Sequence, residues 1–250
     1  MKNIDKFTDK SEIYAKYRPS YPPSCMAYLK NDIGLGNAVV ADVGAGTGIF
    51  SRLVADIADT VYAVEPNADM YKKCIEESAA YTNMKFLATP AEKIDLSNAS
   101  VDFITVAQAF HWFHVEDFRL ECKRILKENG KVILLWNIKV NDAPIIKESE
   151  QICEKLCSSF TGFSGGLENN KNIFVHFFKD GKYDSQTFEN NLTLSFDEFI
   201  GRTLSSSYAP KMGDASYHEF VRQFTYLFQK YESSGVIHLP NVVQTFVGAV

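Results

Sequence analysis

The chain has 250 residues, 46% of them apolar and 23% charged, and a formal net charge of −5. That length can bury a substantial core in one domain, and the balance is that of an ordinary globular protein. A nucleic-acid partner is not expected, because no basic excess supplies its electrostatic footprint, nor is a membrane span, since the longest apolar runs, such as residues 132–136, are too short.

Five cysteines, an odd number at irregular spacing, suit a reducing cytoplasm better than a disulfide framework. The first six residues have no apolar run resembling a signal peptide, so a cytoplasmic location is expected.

In chain order, residues 1–37 precede the first strand and hold an aromatic and basic cluster, Tyr14, Tyr17, Arg18 and Tyr21, among Pro19, Pro22 and Pro23. Residues 38–43 predict a buried strand that runs into Gly44, Gly46 and Gly48. Ile49, Phe50, Leu53, Val54 and Ile57 follow at helical spacing. Residues 60–65 predict a second strand, after which Asn67 caps a helix carrying Met70, Cys74 and Ile75 on one face. Residues 84–88, 101–107 and 131–136 predict three more strands. Helical stretches around Ala91 and over residues 115–126 separate them, the latter closed by Asn129 and Gly130. Apolar strands alternating with helices imply an α/β doubly wound, mostly parallel sheet covered on both faces.

Beyond Asn137 the pattern predicts a helix over 144–158, a loose, mobile stretch over 162–170 and a strand over 187–194. Helices over 196–204 and 217–230 and a closing strand over 242–250 complete it. Without an internal repeat or a long linker, residues 1–250 read as one domain. Its core is 38–137, flanked by an N-terminal segment (1–37) and a C-terminal elaboration (138–250).

A strand, a glycine-rich turn and a helix can hold a dinucleotide, a nucleoside triphosphate or S-adenosylmethionine. The nicotinamide fingerprint requires a glycine at the sixth position of its hexad, where this chain has Ile49. The P-loop requires Gly-Lys-Ser/Thr, and here Gly48 is followed by Ile49 and Phe50. Asp42, just before the turn, would repel a pyrophosphate but suits a ligand with ammonium and sulfonium charges. Glu65, at the end of the second strand, lies where an acid can accept from both hydroxyls of a ribose.

These residues resemble the successive motifs of the class I S-adenosylmethionine-dependent methyltransferases: Asp42 to Gly48, Glu65 with Asn67 and Met70, Thr89 to Glu92, and Ala107 to Trp112. With the Tyr14-to-Pro22 leader, the match is similar to a small-molecule branch, the trans-aconitate methyltransferase-like proteins. The resemblance implies a Rossmann-like sheet of seven strands, the last antiparallel. It also implies S-adenosylmethionine contacts from Gly44, Ala45, Gly46 and Gly48 to the methionine part, from Asp42 directly or through water, and from Glu65 to the ribose. Asn67, Met70, Ala91 and Glu92 would border the adenine, and Gln108 would lie beside the methyl donor. Tyr14 and Arg18 would belong to an N-terminal cover, with Arg18 on the methionine carboxylate.

Methyl transfer to a small acceptor depends on alignment and exclusion of water, and needs a base only if the acceptor must lose a proton. His111 follows the fourth strand and is the candidate base. Trp112 would wall the pocket, while His114, His176, His218 and His238 share no spacing and read as structural or exposed. On the acceptor side, Tyr17, Arg202 and Tyr208 are the candidate residues, and Arg202 suits an acidic acceptor. Phe160, Phe163, Phe174, Phe177 and Phe178 line either a pocket or a core. No ligand cluster suggests a metal; Cys153 and Cys157 read as packing residues. The alternative to an enzyme is a non-catalytic S-adenosylmethionine-binding regulator or sensor. The oligomeric state is not readable.

Overall fold

A computed structural model describes residues 9–140, 142–163 and 172–250. The opening residues 1–6, and the expected loose stretch apart from Gly162 and Phe163, lie outside the described residues. Helices α1 (Ser11–Tyr17) and α2 (Pro23–Tyr28) lead into the sheet. Its strands are β1 (Val39–Val43), β2 (Thr60–Val64), β3 (Met84–Leu87), β4 (Val101–Ala107) and β5 (Leu126–Lys139). Between them lie α3 (Ile49–Ala55), α4 (Ala68–Glu77) and α5 (Val115–Ile125). Then come α6 (Pro144–Leu156), α7 (Asn172–Phe177), β6 (Asp184–Glu189), β7 (Leu192–Ser195), α8 (Phe196–Leu204), α9 (Tyr217–Tyr231), β8 (Val236–Leu239) and β9 (Asn241–Gly248).

The main sheet has seven strands in the order β3-β2-β1-β4-β5-β9-β6. β1 to β5 are mutually parallel where they pair, and β9 runs antiparallel to both β5 and β6. The expected antiparallel closing strand is therefore present. The strand order reverses between β1 and β4, which leaves a crevice at their carboxyl ends.

Alternation along β5 shows why both faces are dry. Val132, Leu134 and Trp136 enter one core with Phe118 and Cys122 of α5 and Phe174 and Phe177 of α7. Ile133 and Leu135 enter the opposite core with Phe50 and Val54 of α3 and Cys74 of α4. A third cluster joins α6, α8 and α9 through Ile146, Phe199, Phe220, Phe224 and Phe228. Phe174, Phe177 and Phe178 are thus core residues.

Four expectations are corrected. No helix forms around Ala91: Glu121 of α5 accepts the Ile94 N–H (2.5 Å), while Arg124 donates to the carbonyls of Ile94 (2.8 Å) and Leu96 (2.6 Å). These side chains satisfy the backbone in place of a helical ladder. Asn129 and Gly130 do not close α5, which ends at Ile125. They form a bulge in β5 opposite Asp102, with Asn129 at φ 67° and Lys127 paired to Asp102 at 2.9 Å.

The strand expected over 187–194 is two strands, and the break is at Asn190 and Asn191. Asn190 donates its amide to Asn137 (2.7 Å), and Asn191 accepts the Asn241 N–H (3.1 Å). The chain leaves β6 here and enters β7, which pairs with β8, a strand the sequence reading missed. On α4, Met70 and Cys74 are buried, but Ile75 is 38% exposed because it lies one residue round the helix from the buried stripe.

Candidate functional site

The loop after β1 is built from left-handed backbone. Gly44, Gly46 and Gly48 have φ of 73°, 58° and 78°, a region other residues enter only at a cost. A Cβ on Gly44 would lie 2.4 Å from the Ala109 Cβ, whereas one on Gly46 would meet only Tyr14, at 4.0 Å. Gly46 therefore leaves backbone open toward the cavity above it.

Two acids hold this loop. Asp42, on β1, accepts from Ser51 of α3 (2.5 Å) and Thr105 of β4 (2.8 Å). Burial raises its carboxyl to about 6, against the lowering effect of those two hydroxyls. Glu65, next after β2, accepts the backbone N–H of Gly46 and of Asn67, each at 2.8 Å. Burial raises this carboxyl too, opposed by the same two N–H groups. Each oxygen keeps a further lone pair, so both hydroxyls of a diol can donate to it. Asn67 caps α4 as expected, accepting from Asp69 (3.1 Å) and Met70 (3.0 Å).

Above the loop lies a cavity with two lobes. The first, about 440 Å³, is lined by Glu65, Asn67, Met70, Ala91, Glu92 and Phe113. The second, about 380 Å³, is lined by Asp42, Ala45, Arg18, His111, Lys139, Arg202 and Tyr208 among others. Tyr14, Gly44, Gly46, Gln108 and Trp112 border both. Both volumes suit small-molecule binding. At the junction Gln108 has φ 62°, and its side-chain amide is buried beside the Tyr21 hydroxyl.

The N-terminal segment forms one wall. Lys10 donates to the carbonyls of Ser206 (2.7 Å) and Ala209 (3.0 Å), and Arg18 to that of Ser205 (3.2 Å). The Arg18 guanidinium lies 4.9 Å from the centre of the Tyr14 ring. His111 and Trp112 sit in a single turn after β4, their rings 4.4 Å apart.

Residues 41–134 match a family model described as a methyltransferase domain. A “putative methyltransferase” of Dictyostelium discoideum is 35% identical over 150 residues, covering 58% of this chain and 55% of the relative. An “uncharacterized methyltransferase” of Schizosaccharomyces pombe is 32% identical over 59% of each chain. The matched part thus spans little more than half the length of these curated relatives. A solved structure of a “putative type II methyltransferase” from Anaeromyxobacter dehalogenans superposes with a TM-score of 0.68 at 17% identity, over 93% of this chain and 98% of that one. The fold is the Rossmann-like fold of methyltransferases.

In this methyltransferase fold, two expected site residues line neither lobe. Gly48 is the residue before α3, where a Cβ would meet Cys74 Sγ at 2.7 Å, so its part is to shape the turn. Tyr17 packs on Gly201 of α8, where a Cβ would lie 2.4 Å from its ring. His176, His218 and His238 are exposed, while His114 borders the first lobe and gives its backbone N–H to Glu92 (2.8 Å). Cys153 lines the second lobe and pairs with Cys157; all five cysteines are free thiols. Among the described residues, no group of three or more metal-ligating side chains occurs, and no helix is long and apolar enough to cross a membrane.

Phe163, one of the rings expected in a pocket or a core, lines the second lobe, and sequence reasoning missed Lys139, whose ammonium faces that ring at 3.5 Å. The available signal for Lys139 was its position at the carboxyl end of a parallel strand, the ligand side of such a sheet.

Proposed function

We propose that the protein transfers a methyl group from S-adenosylmethionine to a small organic acceptor by in-line displacement. The observation that carries this reading is Glu65, held by Gly46 and Asn67 beside the left-handed glycine turn with lone pairs still available to a diol. Bound there, S-adenosylmethionine supplies an electrophilic methyl on a sulfonium. Glu65 would hold the ribose, with Met70 and Ala91 enclosing the base. Asp42 would face the cationic arm, and Arg18 the carboxylate.

Gln108 and Trp112, at the junction of the lobes, would fix where acceptor and methyl meet, and the wall built by residues 10–18 would exclude water. The second lobe, between the core at 38–137 and the elaboration at 138–250, would take the acceptor. Five reduced thiols suit a cytoplasmic setting.

The direct test is calorimetric titration with S-adenosylmethionine, followed by methyl-transfer assays across carboxylate, phenol and amine libraries. Micromolar binding with turnover of one class is the expected result. Binding without turnover in every library would instead favour the sensor. His111 can act as base only where the acceptor gives up a proton; in that case His111→Ala should slow the reaction by about 10²–10⁴-fold. A near-normal rate at every pH would leave alignment as the mechanism.

A further inference from the structure

Three cations from separate parts of the chain line the second lobe: Arg18 after α1, Lys139 at the end of β5 and Arg202 on α8. None makes an ion pair with a carboxylate among the described residues. Among the described residues the one acid that lines the lobe, Asp42, is committed to Ser51 and Thr105. Arg202 is 9% exposed, and its Nη1 is buried with no hydrogen-bond partner among the described residues; the same holds for the Nε of Arg18.

Like charges gathered out of water repel one another strongly. Burial and Arg18 lower the Arg202 guanidinium to about 10, and burial with Arg202 and Arg18 lowers the Lys139 ammonium to about 7. The methyl donor would not relieve this imbalance. Its sulfonium and ammonium outnumber its one carboxylate, and that carboxylate would be Arg18's partner. A negatively charged second ligand would relieve it.

We propose that Lys139 and Arg202 form a two-cation clamp for an anionic oxygen group carried by the methyl acceptor, which makes Lys139 a specificity-determining residue. This rests on the methyl-donor reading above. The planar Arg202 fork fixes the group's orientation, and Lys139 adds a point charge on a flexible stem. Phe163, beneath the ammonium, excludes water from one side of it.

A proton follows the anion. Arg18 and Arg202 oppose the charge on Lys139 while Cys153 and Glu150 favour it; no carboxylate among the described residues pairs with the ammonium, and the anion supplies that paired counter-charge. Binding raises the affinity of the amine for a proton, so the complex takes one up near neutral pH. Anion affinity is then full below pH 7 and falls by up to about tenfold per pH unit above it, until the lysine of the complex also titrates.

The test is calorimetry on protein loaded with S-adenosylhomocysteine, with glutarate, phenylacetate and phenylphosphonate as probes and glutaramide and phenylacetamide as neutral controls. Buffers of different ionisation enthalpy report the proton. At least one acid is expected to bind, the carboxylate and phosphonate arms showing which group is preferred, with the amides inert. Lys139→Met should weaken that binding by about tenfold or more. Lys139→Arg should restore it while abolishing proton uptake and the decline above pH 7, which a purely structural role would not do.

Acid binding unchanged in Lys139→Met, amides binding as well as acids, or no acid binding at all would each overturn the clamp. If S-adenosylhomocysteine itself fails to bind, the methyl-donor reading fails, and the same acid titrations on the free protein still judge the clamp.

Discussion

Gly44→Ala is expected to destabilise the protein by about 2–5 kcal/mol and to remove cofactor binding. Two costs add. An alanine at φ 73° bears the left-handed penalty of about 1–2 kcal/mol. Its Cβ would also sit 2.4 Å from that of Ala109, with Phe113 at 3.2 Å, an overpacking of a type that costs about 1–3 kcal/mol. Ala109 is held in the turn that carries His111 and Trp112, so the clash cannot relax without moving the cavity wall. Urea denaturation measures the loss. Gly46→Ala is the control: it has the same backbone penalty but no contact nearer than Tyr14 at 4.0 Å, so it should cost less stability. Equal destabilisation by both would show that the approach of Ala109 does not matter.

Glu65→Ala should weaken S-adenosylmethionine binding by about 1–3 kcal/mol, or about 5- to 150-fold. The carboxylate would lose its hydrogen bonds from the ribose. The N–H groups of Gly46 and Asn67 would also lose the acceptor that sets the loop against α4. Glu65→Gln separates these effects, because the amide keeps one accepting oxygen while the other atom becomes a donor. Its affinity should fall between wild type and Glu65→Ala. Unchanged calorimetric affinity in folded Glu65→Ala would remove Glu65 from the ribose.

The parallel sheet was legible because its strands are mostly apolar and rich in β-branched residues, and its helices carry apolar stripes. Burial on both faces leaves no other reading of a segment such as 132–136. The errors came where backbone groups are satisfied at long range. The segment around Ala91 has helix-forming composition, yet Glu121 and Arg124, distant in sequence, take its hydrogen bonds. Asn129 and Gly130 look like a helix stop because a left-handed residue serves a bulge as well as a cap. The break at Asn190 depends on Asn137 and Asn241, which only β9 brings together.

The site divides in the same way. That Gly44, Gly46, Asp42, Glu65 and Asn67 gather at one end of the sheet was legible in the sequence, because they lie within short spans of one βαβ unit, where local geometry fixes their spacing. Tyr17 and Gly48 could not be placed: whether a side chain faces the cavity or a helix such as α8 depends on packing. Nor could the meeting of Arg18, Lys139 and Arg202 be read from the sequence. Arg18 and Arg202 were expected on different ligands and Lys139 on none, and only the folding of the N-terminal segment and α8 over the end of β5 brings these three cations into one lobe whose only acid among the described residues is Asp42. The sequence determined the glycine turn and the acids around it, because these are neighbours within one βαβ unit. The tertiary structure decided the charge of the second lobe, because electrostatic imbalance is a property of groups brought together from far apart in the chain.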